Sequence, residues 1–119
     1  MSKIAIIDDD ISVRNSIEIV LRAQGHVSLL FSDPKNFLET ADVKEFDLLL
    51  VDNDMPHMTG LELYEWLKSH TTELPKFVLM SGKVQEEEFL KSDFSREISF
   101  LTKPFSLAKL LQMASLSPK

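Results

Sequence analysis

A chain of 119 residues with 44% hydrophobic and 27% charged residues has the size and balance of one globular domain, residues 1–119, and excludes a disordered or membrane-spanning protein. Nineteen acidic residues against thirteen basic ones give a net charge of -6, so no direct binding of nucleic acid by this domain is expected. Cysteine is absent, which removes disulfides, thiolate catalysis and Cys-ligated metals; with no apolar run of bilayer length and an N-terminus that leads straight into a strand rather than a signal peptide, a cytoplasmic protein off the membrane is expected.

Lys3 to Ile7 is a short β-branched run that ends in Asp8-Asp9-Asp10. From Val13 to Leu21 the apolar residues Val13, Ile17, Val20 and Leu21 fall at helical spacing. Asp10 or Ser12 can cap this helix, and Gly25 suits the left-handed position beyond its end. Val27 to Phe31 forms a second strand. Ser32-Asp33-Pro34 then opens a short helix with proline in its first turn and Phe37, Leu38 and Ala41 inward. Leu48 to Val51 is an unbroken aliphatic run, as in a strand buried on both faces, and it stops at Asp52. Asp54 follows, and Met55-Pro56 ends regular structure because proline lacks the amide hydrogen of a strand ladder.

Thr59 caps a helix running to about His70 with Leu63 and Leu67 on its core side, flanked by Tyr64 and Trp66. Phe77 to Met80 is a fourth strand closing on Ser81-Gly82. The spacing predicts a weak helix over 85–94, with Glu86 to Glu88 as a solvated face. Ile98 to Thr102 is a fifth strand ending at Lys103-Pro104-Phe105. Leu107, Leu110, Leu111 and Ala114 mark a last helix that stops near Pro118. Five strands alternating with five helices predict an α/β domain: a doubly wound parallel sheet with helices on both faces.

In such a sheet every strand's carboxyl end lies on one edge, so Asp8, Asp9, Asp52, Ser81 and Lys103 share a rim. Taken singly, the aspartates are turn and cap residues and the lysine is a surface side chain. Together, three carboxylates repel, and at least one should hold its proton more tightly unless a cation intervenes. Mg²⁺, a hard ion that takes a few carboxylates and keeps other oxygen ligands, answers that need. Carboxylate, metal, hydroxyl and ammonium form a phosphoryl-transfer site with Asp52 as nucleophile and Lys103 as fixed cation. His26, His57 and His70 stand alone and read as surface residues rather than ligands.

Ile7-Asp8-Asp9, Val51-Asp52 with Met55-Pro56 and Gly60, Ser81-Gly82, and Lys103-Pro104-Phe105 stand in order on the matching elements, and over essentially the whole chain the sequence resembles the CheY-like receiver domains of two-component response regulators. The resemblance implies a flavodoxin-like strand order of 2-1-3-4-5. It implies that Asp52 accepts a phosphoryl group from a histidine kinase or histidine phosphotransfer protein. Asp8 and Asp9 would place Mg²⁺ with Asp52, and the backbone carbonyl of Asp54 would complete the shell. Ser81 would hydrogen-bond the phosphoryl group, Lys103 would pair with it, and the Lys103-Pro104 bond would be cis. The domain would be a signalling phosphoacceptor rather than an enzyme, a monomer or a phosphorylation-dependent dimer, acting on an output protein or domain that the sequence does not name.

Phe100 stands where many relatives carry a switch tyrosine; lacking a hydroxyl, its ring is expected to be largely buried at rest. Lys83 and Asp54 are oppositely charged at the pocket mouth and could approach across it. Two other functions fit parts of the pattern. A haloacid-dehalogenase-like phosphohydrolase uses a similar set of groups, but its acidic pair lies late in the chain and its usual length exceeds this one. A non-phosphorylated interaction module on the same fold would not need the full pocket. A flavodoxin is disfavoured because an acidic first loop repels a flavin phosphate.

Overall fold

A computed structural model describes residues 2–115, and of Lys83 and Ser115 the backbone only. Strands β1 (Lys3–Ile7), β2 (Val27–Phe31), β3 (Leu48–Asp52), β4 (Lys76–Ser81) and β5 (Ser99–Thr102) alternate with helices α1 (Ile11–Ala23), α2 (Pro34–Thr40), α3 (Gly60–His70), α4 (Lys83–Leu90) and α5 (Leu107–Ser115). All pairings are parallel, in the order β2-β1-β3-β4-β5, as the resemblance implied.

The period of two along each strand divides the core. Ala5, Ile7, Leu49, Val51 and Leu79 face α2, α3 and α4, where Phe37, Leu63, Leu67 and Phe89 meet them. Ile4, Ile6, Leu48, Leu50 and Met80 face the other way, onto Ile17 and Leu21 of α1 and Leu110 and Ala114 of α5. Leu48 to Val51 have no exposed surface because β3 is central to the sheet and covered on both sides.

Local chemistry fixes the ends. Asp10 Oδ1 accepts from the backbone N–H groups of Ser12 and Val13, so α1 starts at Ile11, ahead of Val13. Gly25 adopts φ +87 beyond its end. Asp33 caps α2 with Pro34 in its first turn, and Thr59 and Glu62 form a reciprocal capping box on α3.

Strand β4 runs one residue further at each end than Phe77 to Met80, and the fourth helix and fifth strand also differ from expectation. The fourth helix begins at Lys83, capped by the backbone of Gly82, and ends at Leu90 instead of Phe94. There the Ser92 hydroxyl donates to the Phe89 carbonyl at 2.6 Å, and such a side-chain bond competes with helix continuation. A 3-10 turn, Asp93–Arg96, follows and turns Phe94 edge-on against Tyr64. The fifth strand begins at Ser99, because the N–H of Ile98 closes that turn onto the Phe94 carbonyl. The expected stop at Pro118 lies outside the described residues. A second 3-10 turn, Val43–Glu45, was not anticipated. No helix of the described residues is long and apolar enough to cross a membrane.

Candidate functional site

Parallel pairing brings the ends of β1, β3, β4 and β5 to one edge, and the expected side chains gather there. Asp8 is fully buried, Asp52 is 3% exposed, and Ser81 is fully buried; Asp9 faces solvent. One oxygen from each of Asp8, Asp9 and Asp52 lies within 4.8 Å of the others. Lys103 reaches in from the end of β5 and bridges the two buried carboxylates, with Nζ 3.0 Å from Asp8 Oδ2 and 3.2 Å from Asp52 Oδ1. The Lys103-Pro104 peptide bond is cis.

The electrostatics follow from this crowding. Asp52 is pushed up from an ordinary 3.8 to about 6. Burial is the main cause and repulsion from Asp8 adds to it, while the Asp54 N–H at 3.1 Å and the Lys103 ammonium pull the other way. Repulsion among carboxylates, the cause anticipated from the sequence, is thus the smaller contribution. Burial pulls the Lys103 ammonium down, but its hydrogen bonds and charge contacts with Asp8 and Asp52 outweigh that, and the net shift is upward.

The all-oxygen donor set of Asp8, Asp9 and Asp52 suits a hard cation such as Mg²⁺: two carboxylates are buried, one is open to solvent, and the Lys103 ammonium offsets part of their charge. Gly60 is required beside the site, since a Cβ there would lie 2.6 Å from Leu79 Cδ1 and 2.9 Å from the Asp52 carbonyl oxygen. The intervening loop is held by Asn53, whose Oδ1 accepts from the Leu61 N–H at 3.0 Å, and it passes through His57 at φ +73.

Several contacts were not foreseen. Arg14 Nη1 donates to the Asp8 carbonyl at 2.7 Å, and the Asp10 N–H donates to Asp8 Oδ1 at 2.9 Å, so the first acidic loop is braced from α1. The Asp54 carboxylate accepts the Ser81 hydroxyl at 2.8 Å. The side chain of Lys83, expected opposite Asp54, lies outside the described residues. The register of β3 on β4 carried the missed signal: Asp52 is opposite Met80, which brings the chain just past each strand together. Phe100 lies on the edge strand β5 yet is mostly covered, packed against the core, in line with expectation; its ring packs on Phe89 with centroids 5.0 Å apart. His57 and His70 are exposed as expected, whereas His26 is half-buried and its Nδ1 accepts from the Ser2 N–H.

The family model for the response regulator receiver domain matches residues 4–115. The chain belongs to that family. The receiver domain is 32% identical over 111 residues to the transcriptional regulatory protein FlgR of Helicobacter pylori, covering 92% of this chain and 28% of that protein. It is 33% identical over 109 residues to the response regulator MprA of Mycobacterium ulcerans, covering 92% of this chain and 47% of that protein. The receiver domain therefore spans roughly a quarter to a half of these two curated relatives. Among solved structures, the chemotaxis protein CheY4 of Vibrio cholerae superposes with a TM-score of 0.80 at 23% identity over 99% of both chains, a likeness of fold. The receiver domain of NtrX from Brucella abortus gives 0.81 at 25% identity over 94% of both chains. The matching family is that of two-component receivers, not the haloacid-dehalogenase-like phosphohydrolases.

Proposed function

We propose that this receiver domain takes a phosphoryl group onto Asp52 from the phosphohistidine of a histidine kinase or phosphotransfer protein, and signals by a change of conformation. The observation that carries the reading is the buried Asp52 carboxylate held against the Lys103 ammonium, with Asp8 and Asp9 beside it.

Above about pH 6 Asp52 is ionised and one carboxylate oxygen can attack phosphorus. The new O–P bond forms as the donor's N–P bond breaks, and the electron pair leaves with the imidazole nitrogen. Lys103, kept protonated by Asp8 and Asp52, balances the negative charge gathered on the transferring group. Asp8, Asp9 and Asp52, with the Asp54 carbonyl, would hold Mg²⁺, which when bound supplies further neutralisation of the phosphoryl oxygens. Ser81 offers a hydroxyl to the phosphoryl group. Phe100 and the surface of α4, β5 and α5 then carry the change to an output protein or domain, as a monomer or a phosphorylation-dependent dimer. The domain acts as a phosphoacceptor in signalling, not as an enzyme with turnover on a separate substrate.

Incubation with a small phosphodonor and Mg²⁺, followed by intact mass measurement, should show one added phosphoryl group that is lost in Asp52→Asn. Wild-type protein that stays unmodified with both a small donor and a competent kinase would overturn the proposal.

A further inference from the structure

We infer that Asp54 is a positioning residue that withholds the Ser81 hydroxyl from the phosphoryl site, so that the phosphorylated conformation forms only when this bond is given up. The inference rests on the phosphoacceptor reading above.

Ser81 is fully buried, so its hydroxyl needs a partner inside the protein, and it donates to Asp54 Oδ2 at 2.8 Å. A serine hydroxyl has one hydrogen to donate. While that hydrogen is on Asp54 it cannot serve a phosphoryl oxygen. Asp54 is also tied to the nucleophile, because its backbone N–H donates to Asp52 Oδ1 at 3.1 Å. One residue thus touches both the atom that would receive the phosphoryl group and the hydroxyl that would bind it.

Phosphorylation places a group of roughly -1.5 to -2 charge on Asp52, and Ser81 then faces two anionic acceptors. In the exchange the hydroxyl hydrogen bond passes from Asp54 Oδ2 to a phosphoryl oxygen, and no covalent bond changes. Asp54 is exposed, so water can solvate its carboxylate once Ser81 leaves. The two hydrogen bonds are of one kind, each from a hydroxyl to an anion, and they largely cancel. Asp54 therefore removes most of what Ser81 would otherwise contribute to the phosphorylated state. A net hydrogen-bond contribution corresponds to a change in affinity of about two- to tenfold.

The test is the affinity of beryllofluoride, a phosphoryl mimic, measured by calorimetry in Mg²⁺ for wild type, Asp54→Ala, Ser81→Ala and the double variant. Asp54→Ala is expected to bind about fivefold more tightly than wild type, with the gain vanishing when Ser81→Ala is also present. Asp54→Asn, which keeps an acceptor oxygen without the charge, should fall between. An equal gain with and without the Ser81→Ala change would mean simple charge repulsion and overturn the positioning role, as would no gain in Asp54→Ala. Binding by none of the four would instead overturn the phosphoacceptor reading and this inference with it.

Discussion

Replacing Asp52 by Asn is expected to stabilise the metal-free protein at neutral pH and to change little in acid. Asp52 lies in the native state at about 6 against an ordinary 3.8, and at about 1.4 kcal/mol per pH unit this amounts to roughly 3 kcal/mol against folding once the group is ionised. Its side chain is only 4% exposed, so solvent does little to screen the cost. The sign follows from proton binding. Between pH 3.8 and about 6 the native state keeps a proton that the unfolded chain has released, so stability falls as pH rises through that window and the deficit persists above it. Asn keeps an Oδ1 to accept from the Asp54 N–H but carries no charge. Lys103 loses one partner and retains Asp8 at 3.0 Å, which offsets part of the gain. Urea unfolding with a chelator present should therefore give Asp52→Asn an advantage of about 1–3 kcal/mol at pH 7.5, shrinking toward zero near pH 4. An Asn variant no more stable than wild type at pH 7.5 would show that Lys103 already compensates the buried charge and would refute the reasoning.

Gly60→Ala forces a methyl group against Leu79 and the Asp52 carbonyl, and should lower stability by about 1–3 kcal/mol in denaturant unfolding. His57→Gly relieves a left-handed backbone at an exposed position and should raise stability by roughly 0.5–1 kcal/mol, read as a higher melting temperature. Tyr64, the chain's one tyrosine, is pushed up to about 12, first by burial and then by its hydrogen bond to Glu97. Ultraviolet titration should find its ionisation near 12, and somewhat lower in Glu97→Gln, which removes the neighbouring charge but leaves burial in place. Because the unfolded chain ionises near 10, stability should fall as pH rises above that value.

The sheet and the acidic rim were legible because their signals are local. The run from Leu48 to Val51 reads as a strand covered on both faces whatever surrounds it, and parallel pairing then carries Asp8, Asp52 and Lys103 to one edge with no further information. The start of α3 was legible for the same reason, since Thr59 and Glu62 make its cap from within four residues. What escaped depends on neighbours distant in sequence. The end of α4 is the local exception, set by the Ser92 hydroxyl bonding back to Phe89, whereas Phe94 is drawn off the helical path toward Tyr64 on α3. The bond between Ser81 and Asp54 joins residues 27 apart, and side-chain charge pointed instead to Lys83.

These departures converge on the segment from Ser81 to Phe100. Helix α4 contributes Phe89 to the core, while Val84 and Leu90 stay 63% and 62% exposed, so among the described residues its attachment rests chiefly on one aromatic side chain. A helix held by so little apolar contact belongs to the low-stability end of a fold, from which moving elements are drawn. Its first residue follows Ser81 by two positions, with only Gly82 between, and Gly82 caps it through the backbone alone. At its other end Phe89 meets Phe100. On the proposed reading, the exchange of the Ser81 hydroxyl from Asp54 to a phosphoryl group on Asp52 would act at the root of this helix and reach Phe100 through its contact with Phe89. Because that ring has no hydroxyl to satisfy, moving it inward or outward changes apolar burial alone. On that reading the two conformations would lie close in free energy, so that a small net difference suffices to bias the choice between them.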